Sequence, residues 1–155
     1  MRKFVFTALV VLALTGCAST GQYGSFVEQP TAADQRHIAD DAVQQLSELY
    51  PPAQTRFELQ QPTPDPFGMA LVSGLRERGY ALLEFNPADH VQSSAAPSEA
   101  ASTGLPLRYV FDTLADVGSS NLYRLTLLVG NQSITRPYLE ENGTFVPAGY
   151  WARKE

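Results

Sequence analysis

Three groups of side chains have the types and the spacing that chemistry requires. His37 and Asp41 stand four residues apart, the minimum geometry for a pair of metal ligands on one helix face. Asp112 and Asp116 are also four apart and would form a carboxylate pair near one strand. Cys17 is the only cysteine among the 155 residues, and a cysteine thiolate is a strong nucleophile. Metal binding, acid–base catalysis and thiol chemistry are therefore the three kinds of site to consider.

Structural roles account for the first two groups. Residues 37, 41, 44 and 48 form the face opposite the apolar stripe of a predicted helix, and this pattern predicts a solvated helix face. Asp112 and Asp116 are explained by edge-strand charges that discourage aggregation. His90 lies at the edge of a low-complexity segment, where no partner that could orient its ring is predictable.

The common catalytic motifs are missing from the sequence. There is no Gly-x-Ser-x-Gly, no phosphate-binding glycine loop and no second cysteine for a Cys–His pair. We therefore expect a binding or structural protein and not an enzyme, with no catalytic residue, no metal and no small-molecule substrate.

The N-terminus has the pattern of an export signal. Arg2 and Lys3 precede an apolar run of 11 residues, 4–14, which is well short of the ~20 residues that a membrane-spanning helix needs. Residues 1–16 are therefore predicted to be removed.

Cys17 stands where the removed segment would end. The sequence Leu14-Thr15-Gly16-Cys17 is typical of the bacterial lipobox, with Leu14, Thr15 and Gly16 recognised by the signal peptidase and Cys17 carrying a diacylglycerol and an N-acyl chain. A plain signal peptide with an incidental thiol is the alternative. Each buried acyl methylene contributes ~0.8 kcal/mol, so several chains hold a protein firmly in a membrane. Ala18 replaces the aspartate that retains lipoproteins at the inner membrane, which predicts an outer-membrane anchor with the domain facing the periplasm.

The charge balance excludes one class of partner. Without residues 1–16 the chain would have 139 residues and a net charge of −7, with nine basic against sixteen acidic side chains. Nucleic-acid binding needs clustered Lys and Arg, so we expect no direct contact with nucleic acid. With Cys17 acylated, no disulfide would be available.

Two aromatic segments are candidate partner-binding surfaces. Residues 17–30 are rich in Gly, Ser and Gln and are typical of a flexible tether, within which Tyr23, Phe26 and Val27 either pack on the domain edge or dock another protein. Tyr150 and Trp151 either anchor a partner or close the core at the last strand.

The remaining sequence, 31–155, predicts one α+β domain: two helices packed on a mostly antiparallel sheet, with a C-terminal strand meander. Helical periodicity covers 32–49, with Thr31 as its N-cap, and a second helix follows Asp65-Pro66 and ends at Gly79. Strands are predicted at the following segments: 55–60, 80–85, 107–113, 122–129, 133–139 and 144–151. Gly118–Asn121 is predicted as a turn, and Gly130-Asn131 and Asn142-Gly143 as hairpins, the first of type II′. The segment 86–103 is predicted to be a low-complexity loop.

Three features together resemble the TrbH lipoproteins of IncP-type conjugal transfer systems. They are the lipobox with its tether, the block PPAQTRFELQQPTPDPFGMALVSGLRERGYALLE over 51–84, and the C-terminus GTFVPAGYWARKE. The resemblance covers the whole chain, and the 51–84 block makes it specific, because lipoboxes occur in many lipoproteins.

The resemblance implies a structural component of the mating-pair-formation apparatus, a type IV secretion system that moves plasmid DNA between bacteria. In such machines a small outer-membrane lipoprotein joins two larger proteins in a ring-shaped core complex. By position, Cys17 would be the lipid site and Tyr23–Val27 the stretch that binds a partner. Some relatives use a second cysteine for a disulfide with the ring partner; this chain has none, so its contacts would be noncovalent. A surface-exclusion lipoprotein and, less favoured, an enzyme that modifies the cell wall are the alternatives.

Overall fold

The structure is a computed structural model that describes residues 21–27, 32–87, 104–117 and 120–155. The predictions for the signal peptide, the lipobox, Thr31, His90 and most of the low-complexity loop lie outside the described residues.

Two helices form where the sequence predicts them. Helix α1 covers Ala32–Leu49 and α2 covers Pro66–Glu77. The carboxylate of Asp65 accepts a hydrogen bond from the Gly68 amide at 2.9 Å, so Asp65 caps α2 and Pro66 occupies its first turn, where a missing N–H costs nothing.

Eight strands are described, and they form one sheet. They are β1 (Gly24–Ser25), β2 (Arg56–Leu59), β3 (Ala81–Leu83), β4 (Leu105–Val117), β5 (Ser120–Val129), β6 (Gln132–Glu141), β7 (Thr144–Pro147) and β8 (Ala152–Lys154); a 3₁₀ turn covers Pro52–Gln54. The order is β3-β2-β4-β5-β6-β7, with β1 also paired to β4 and β8 to β6. The pairs β1–β4, β2–β3 and β2–β4 are parallel and the others antiparallel. The predicted α+β class with a C-terminal meander is confirmed.

The hairpins follow the predicted turn residues. Gly130 has a φ of 59°, and Val129 pairs with Gln132 across a two-residue loop. Asn142 and Gly143 both have positive φ, 54° and 75°, as a type I′ turn requires. 

Two boundaries in the meander were predicted wrongly. Backbone pairing of β5 with β4 starts at Ser120, inside the segment predicted as a turn, because Ser120 pairs directly with Val117. The last predicted strand is two strands, interrupted between Pro147 and Ala152, and both pieces pair with β6.

The core lies between the helices and one face of the sheet. Alternate residues of β4 and β5 point into it, and the stripe of α1 packs against them. Its largest fully buried side chains are Tyr109, Tyr138, Phe57, Phe67, Phe111, Ile38, Leu46, Leu59, Leu71, Leu75, Leu107 and Leu125. The two helices also contact each other directly on this face of the sheet.

Candidate partner-binding surfaces

The first predicted segment, Tyr23–Val27, lies along strand β4. Gly24 and Ser25 pair in parallel with Val110 and Phe111, and the Phe26 amide donates a hydrogen bond to the Phe111 carbonyl at 2.7 Å. The segment is therefore held by its backbone, whatever its side chains contact.

The side chains of this segment divide into packed and exposed positions. The Arg108 guanidinium lies 5.0 Å from the centre of the Tyr23 ring and donates to its hydroxyl at 3.2 Å. Val27 packs against the core, whereas Phe26 is 46% exposed. Tyr23 and Val27 thus pack on the domain edge, and Phe26 is the side chain left for another molecule to contact.

The second predicted pair, Tyr150 and Trp151, lies in the interruption between β7 and β8. Ala148 still donates to the Pro137 carbonyl at 3.0 Å, and Arg136 Nε donates to the Gly149 carbonyl at 2.9 Å. Beyond that point Tyr150 projects from the surface and is 94% exposed.

Trp151 points the other way and packs partly against the core. The guanidinium of Arg136 lies 5.8 Å from its ring centre, close enough for a cation–π contact. Trp151 therefore closes the core, while Tyr150 remains available to a partner; the two interpretations made from the sequence apply to different residues of the pair.

A groove of about 310 Å³ separates these aromatic residues from α1. Its lining consists of Asp41, Gln44, Gln45, Glu48, Arg136, Tyr150 and Trp151. We call it the α1 groove.

The floor of the α1 groove is a polar cluster centred on Asp41. Arg136 Nη1 donates to both carboxylate oxygens at 2.8 and 2.9 Å, and the Tyr138 hydroxyl donates to the same carboxylate. Burial raises the pKa of Tyr138, and the hydrogen bond to Asp41 raises it further, because an ionised phenolate there would be desolvated and would face the carboxylate. The hydroxyl is thus held as a donor.

This cluster corrects the prediction that Asp41 belongs to a solvated helix face. His37, Gln44 and Glu48 are exposed as predicted, but the Asp41 side chain is only 26% exposed, because β6 passes beside that position of α1. The sequence offered no local signal for the contact, since Asp41 and Arg136 are 95 residues apart.

The rim of the groove carries the negative charge of Glu48. It follows the end of α1, where the unpaired carbonyl groups give a helix a partial negative charge. The last turn of α1 contains no basic residue, and Arg78, which follows α2, donates to Ser47 Oγ in that turn at 3.5 Å.

The two predicted surfaces do not come together. β1 flanks β4, whereas β7 and β8 flank β6, with β5 between them. Four strand spacings of ~4.8 Å put the two edges ~19 Å apart, so one small ligand cannot span them, although a protein partner can.

Among the other chemical candidates, Asp112 is ion-paired within the sheet. Arg124 donates to Asp112 from Nε at 3.1 Å and from Nη2 at 2.5 Å across the β4–β5 pair, while the Asp116 side chain lies outside the described residues. Within the described ranges, no group of three or more His, Cys, Asp or Glu side chains is placed to hold a metal. Nor does that part of the chain contain a helix both long and apolar enough to cross a membrane.

Comparison with known protein families identifies a match over most of the chain. The family model described as "Conjugal transfer protein TrbH" matches residues 20–155, so the residues of the predicted lipobox, 14–17, lie just outside the matched range. Neither the curated proteins nor the solved structures include a significant match.

Proposed function

This chain belongs to the TrbH family of conjugal transfer proteins, and from that membership we propose that it is an outer-membrane lipoprotein of the mating-pair-formation apparatus. In this proposal the acyl chains on Cys17 seat the protein in the membrane. The domain that follows binds larger core-complex proteins in the periplasm and has no enzymatic activity. The observation that carries the proposal is the family match over 20–155, which begins three residues after the lipobox-like sequence Leu14-Thr15-Gly16-Cys17.

The surfaces on the domain support noncovalent binding. Phe26 and Tyr150 are large side chains exposed at opposite edges of one sheet, and exposed aromatic residues are frequent anchors of protein interfaces. A short lipoprotein that touches two larger proteins needs two such surfaces. The part of the predicted tether 17–30 that precedes β1 would link the domain to the membrane.

Deletion of the gene in the donor and in the recipient tests the role in transfer. We expect deletion in the donor to abolish plasmid transfer and pilus formation, because a channel component is required on the side that exports DNA. Unchanged donation together with more efficient reception would identify a surface-exclusion lipoprotein instead.

Replacement of the lipid site tests the anchor. In Cys17→Ser cells we expect the protein to leave the outer-membrane fraction and to lose incorporation of labelled palmitate. Affinity purification should then recover fewer core-complex partners than the wild type does. Recovery of the same partners at the outer membrane by both forms would refute a seating role for the lipid.

Zymography of the purified protein on cell-wall substrate tests the absence of enzymatic activity. A lytic band would contradict the structural role.

A further inference from the structure

The α1 groove has a net negative charge that its own residues do not neutralise. Arg136 binds Asp41 through two hydrogen bonds and is only 18% exposed, so the charges of this pair cancel within the fold. Glu48 remains: it is exposed, and within the part of the chain that the structure describes its carboxylate receives a 3.4 Å contact from the Gln44 amide. The helix end beside it adds negative potential, and its last turn contains no basic residue; Arg78, which donates to Ser47 Oγ at 3.5 Å, does not line the groove.

Two aromatic side chains line the groove together with this charge. Tyr150 is 94% exposed and lines the same groove as Glu48, as does Trp151. A guanidinium or ammonium group over a Tyr or Trp ring is attracted by the electrons of the ring face. Arg136 already makes such a contact with Trp151 from inside the fold, which leaves the ring of Tyr150 for a cation from outside.

We propose that the α1 groove binds an arginine or lysine side chain of a partner protein, with Glu48 pairing the cation and Tyr150 stacking on it. At the groove wall, the side-chain amides of Gln44 and Gln45 would accept hydrogen bonds from backbone N–H groups of the partner and donate hydrogen bonds to its carbonyl groups. The net charge of the chain, −5, favours approach of a basic surface. That the partner belongs to the transfer apparatus rests on the proposed function; the chemistry of the groove does not.

The sequence supplies a reporter inside the site. Trp151 is the only tryptophan and lines the groove, so intrinsic fluorescence reports its occupancy. We would titrate the full chain in detergent micelles with the peptide acetyl-Ala-Arg-Ala-Arg-Ala-amide, and in parallel with its Gln-for-Arg analogue and with chitotriose. The last probe tests a glycan, which aromatic and amide groups can also bind.

We expect a saturable fluorescence change with the arginine peptide that weakens as NaCl is raised, and little change with the other two probes. Glu48→Gln and Tyr150→Ala should each weaken binding about threefold, as one exposed ion pair and one exposed cation–π contact would. Tyr150→Phe should bind nearly as the wild type does, since its ring remains. Glu141→Gln removes an exposed acid that does not line the groove and should have no effect.

Three results would overturn the proposal: no saturable response to the arginine peptide, an equal response to the glutamine analogue, or binding of chitotriose alone. Because Glu48 and Tyr150 are both exposed, their replacement should not disturb folding, and circular dichroism checks this.

Mating assays separate this inference from the proposed function. We expect a donor with Glu48→Gln and Tyr150→Ala together to transfer at least tenfold less than the wild type, and a deletion to abolish transfer. If deletion abolishes transfer but the double variant transfers normally, the groove inference fails and the proposed function stands. If deletion in the donor has no effect, the proposed function fails, and the peptide titration still decides what the groove binds.

Discussion

Removal of the Asp41 carboxylate should destabilise the domain more than any exposed charge does. In Asp41→Ala the Arg136 guanidinium, 18% exposed, loses both of its bonds to the carboxylate, and the hydroxyl of Tyr138, 1% exposed, loses its acceptor. Breaking a fully buried pair costs about 3–5 kcal/mol. The partial exposure of this pair lowers that figure, while the stranded hydroxyl adds to it. We expect a loss of about 3 kcal/mol in the free energy of unfolding.

Urea unfolding of the purified Cys17→Ser chain, followed by the fluorescence of Trp151, measures this loss. The matched control is Glu84→Ala, which removes one partner of the Arg76–Glu84 pair, whose side chains are 56% and 53% exposed, respectively. That change should cost less than about 1 kcal/mol, because water already solvates both charges.

A double-mutant cycle isolates the pair itself. Arg136→Met keeps a long apolar side chain, so in the Arg136→Met background Asp41→Ala should cost about 2 kcal/mol less than it does in the wild type. A cost of Asp41→Ala no larger than that of the Glu84→Ala control, or a coupling near zero, would refute the argument that this cluster joins α1 to β6.

Three further outcomes follow from single contacts. Gly68→Ala should cost about 2 kcal/mol in urea unfolding, because its methyl group would overlap the Tyr109 hydroxyl and lie 2.9 Å from Thr63 Cβ; no change would show that the helix start is loosely packed. Two effects raise the pKa of both Tyr109 and Tyr138 above the ordinary 10.0: burial, which is the larger, and a hydrogen bond from each hydroxyl to a carboxylate. The two tyrosines therefore lose their protons at lower pH in the unfolded chain than in the folded one, and the free energy of unfolding should fall as pH rises above 10, by about 1.4 kcal/mol per pH unit for each tyrosine. In urea unfolding at several pH values, Tyr138→Phe should remove the contribution of one tyrosine to this pH dependence. An unchanged pH dependence would contradict the raised pKa of Tyr138. Gly143→Ala should cost about 1 kcal/mol in the same assay, because φ is 75° there, and a gain in stability would exclude that strain.

The elements with local signals could be predicted from the sequence. The bounds of α1 follow from apolar spacing, and α2 begins at the Asp65-Pro66 cap. The helix ends before Gly79, whose φ of 85° favours a residue without a side chain. These signals lie within a few residues of the feature that they specify, so one sequence is sufficient to find them.

The elements formed by distant contacts could not be predicted. Gly24 and Ser25 belong to residue types that do not favour strands, and β1 forms because the backbone of these residues pairs with Val110 and Phe111 of β4. The interruption between β7 and β8 follows Pro147 and contains Gly149, local breaker residues that the predicted strand 144–151 passed over. The bond of Arg136 to the Gly149 carbonyl is a distant contact that the segment itself does not reveal. The surroundings of Asp41 were missed for the same reason: its polar spacing on α1 is that of a solvated residue until β6 is placed beside it.

Arg136 joins the stability of the fold to the shape of the α1 groove. One guanidinium binds Asp41 on α1, holds the Gly149 carbonyl and lies over the ring of Trp151. The first contact positions the helix, and the other two fix the backbone that presents Tyr150. A groove held in this way needs little ordering when a partner binds, so its exposed residues can act as a preformed site. Substitution of Arg136 should therefore lower stability and partner binding together, whereas substitution of Glu48 or Tyr150 should lower binding alone. This difference separates residues that build the site from residues that use it.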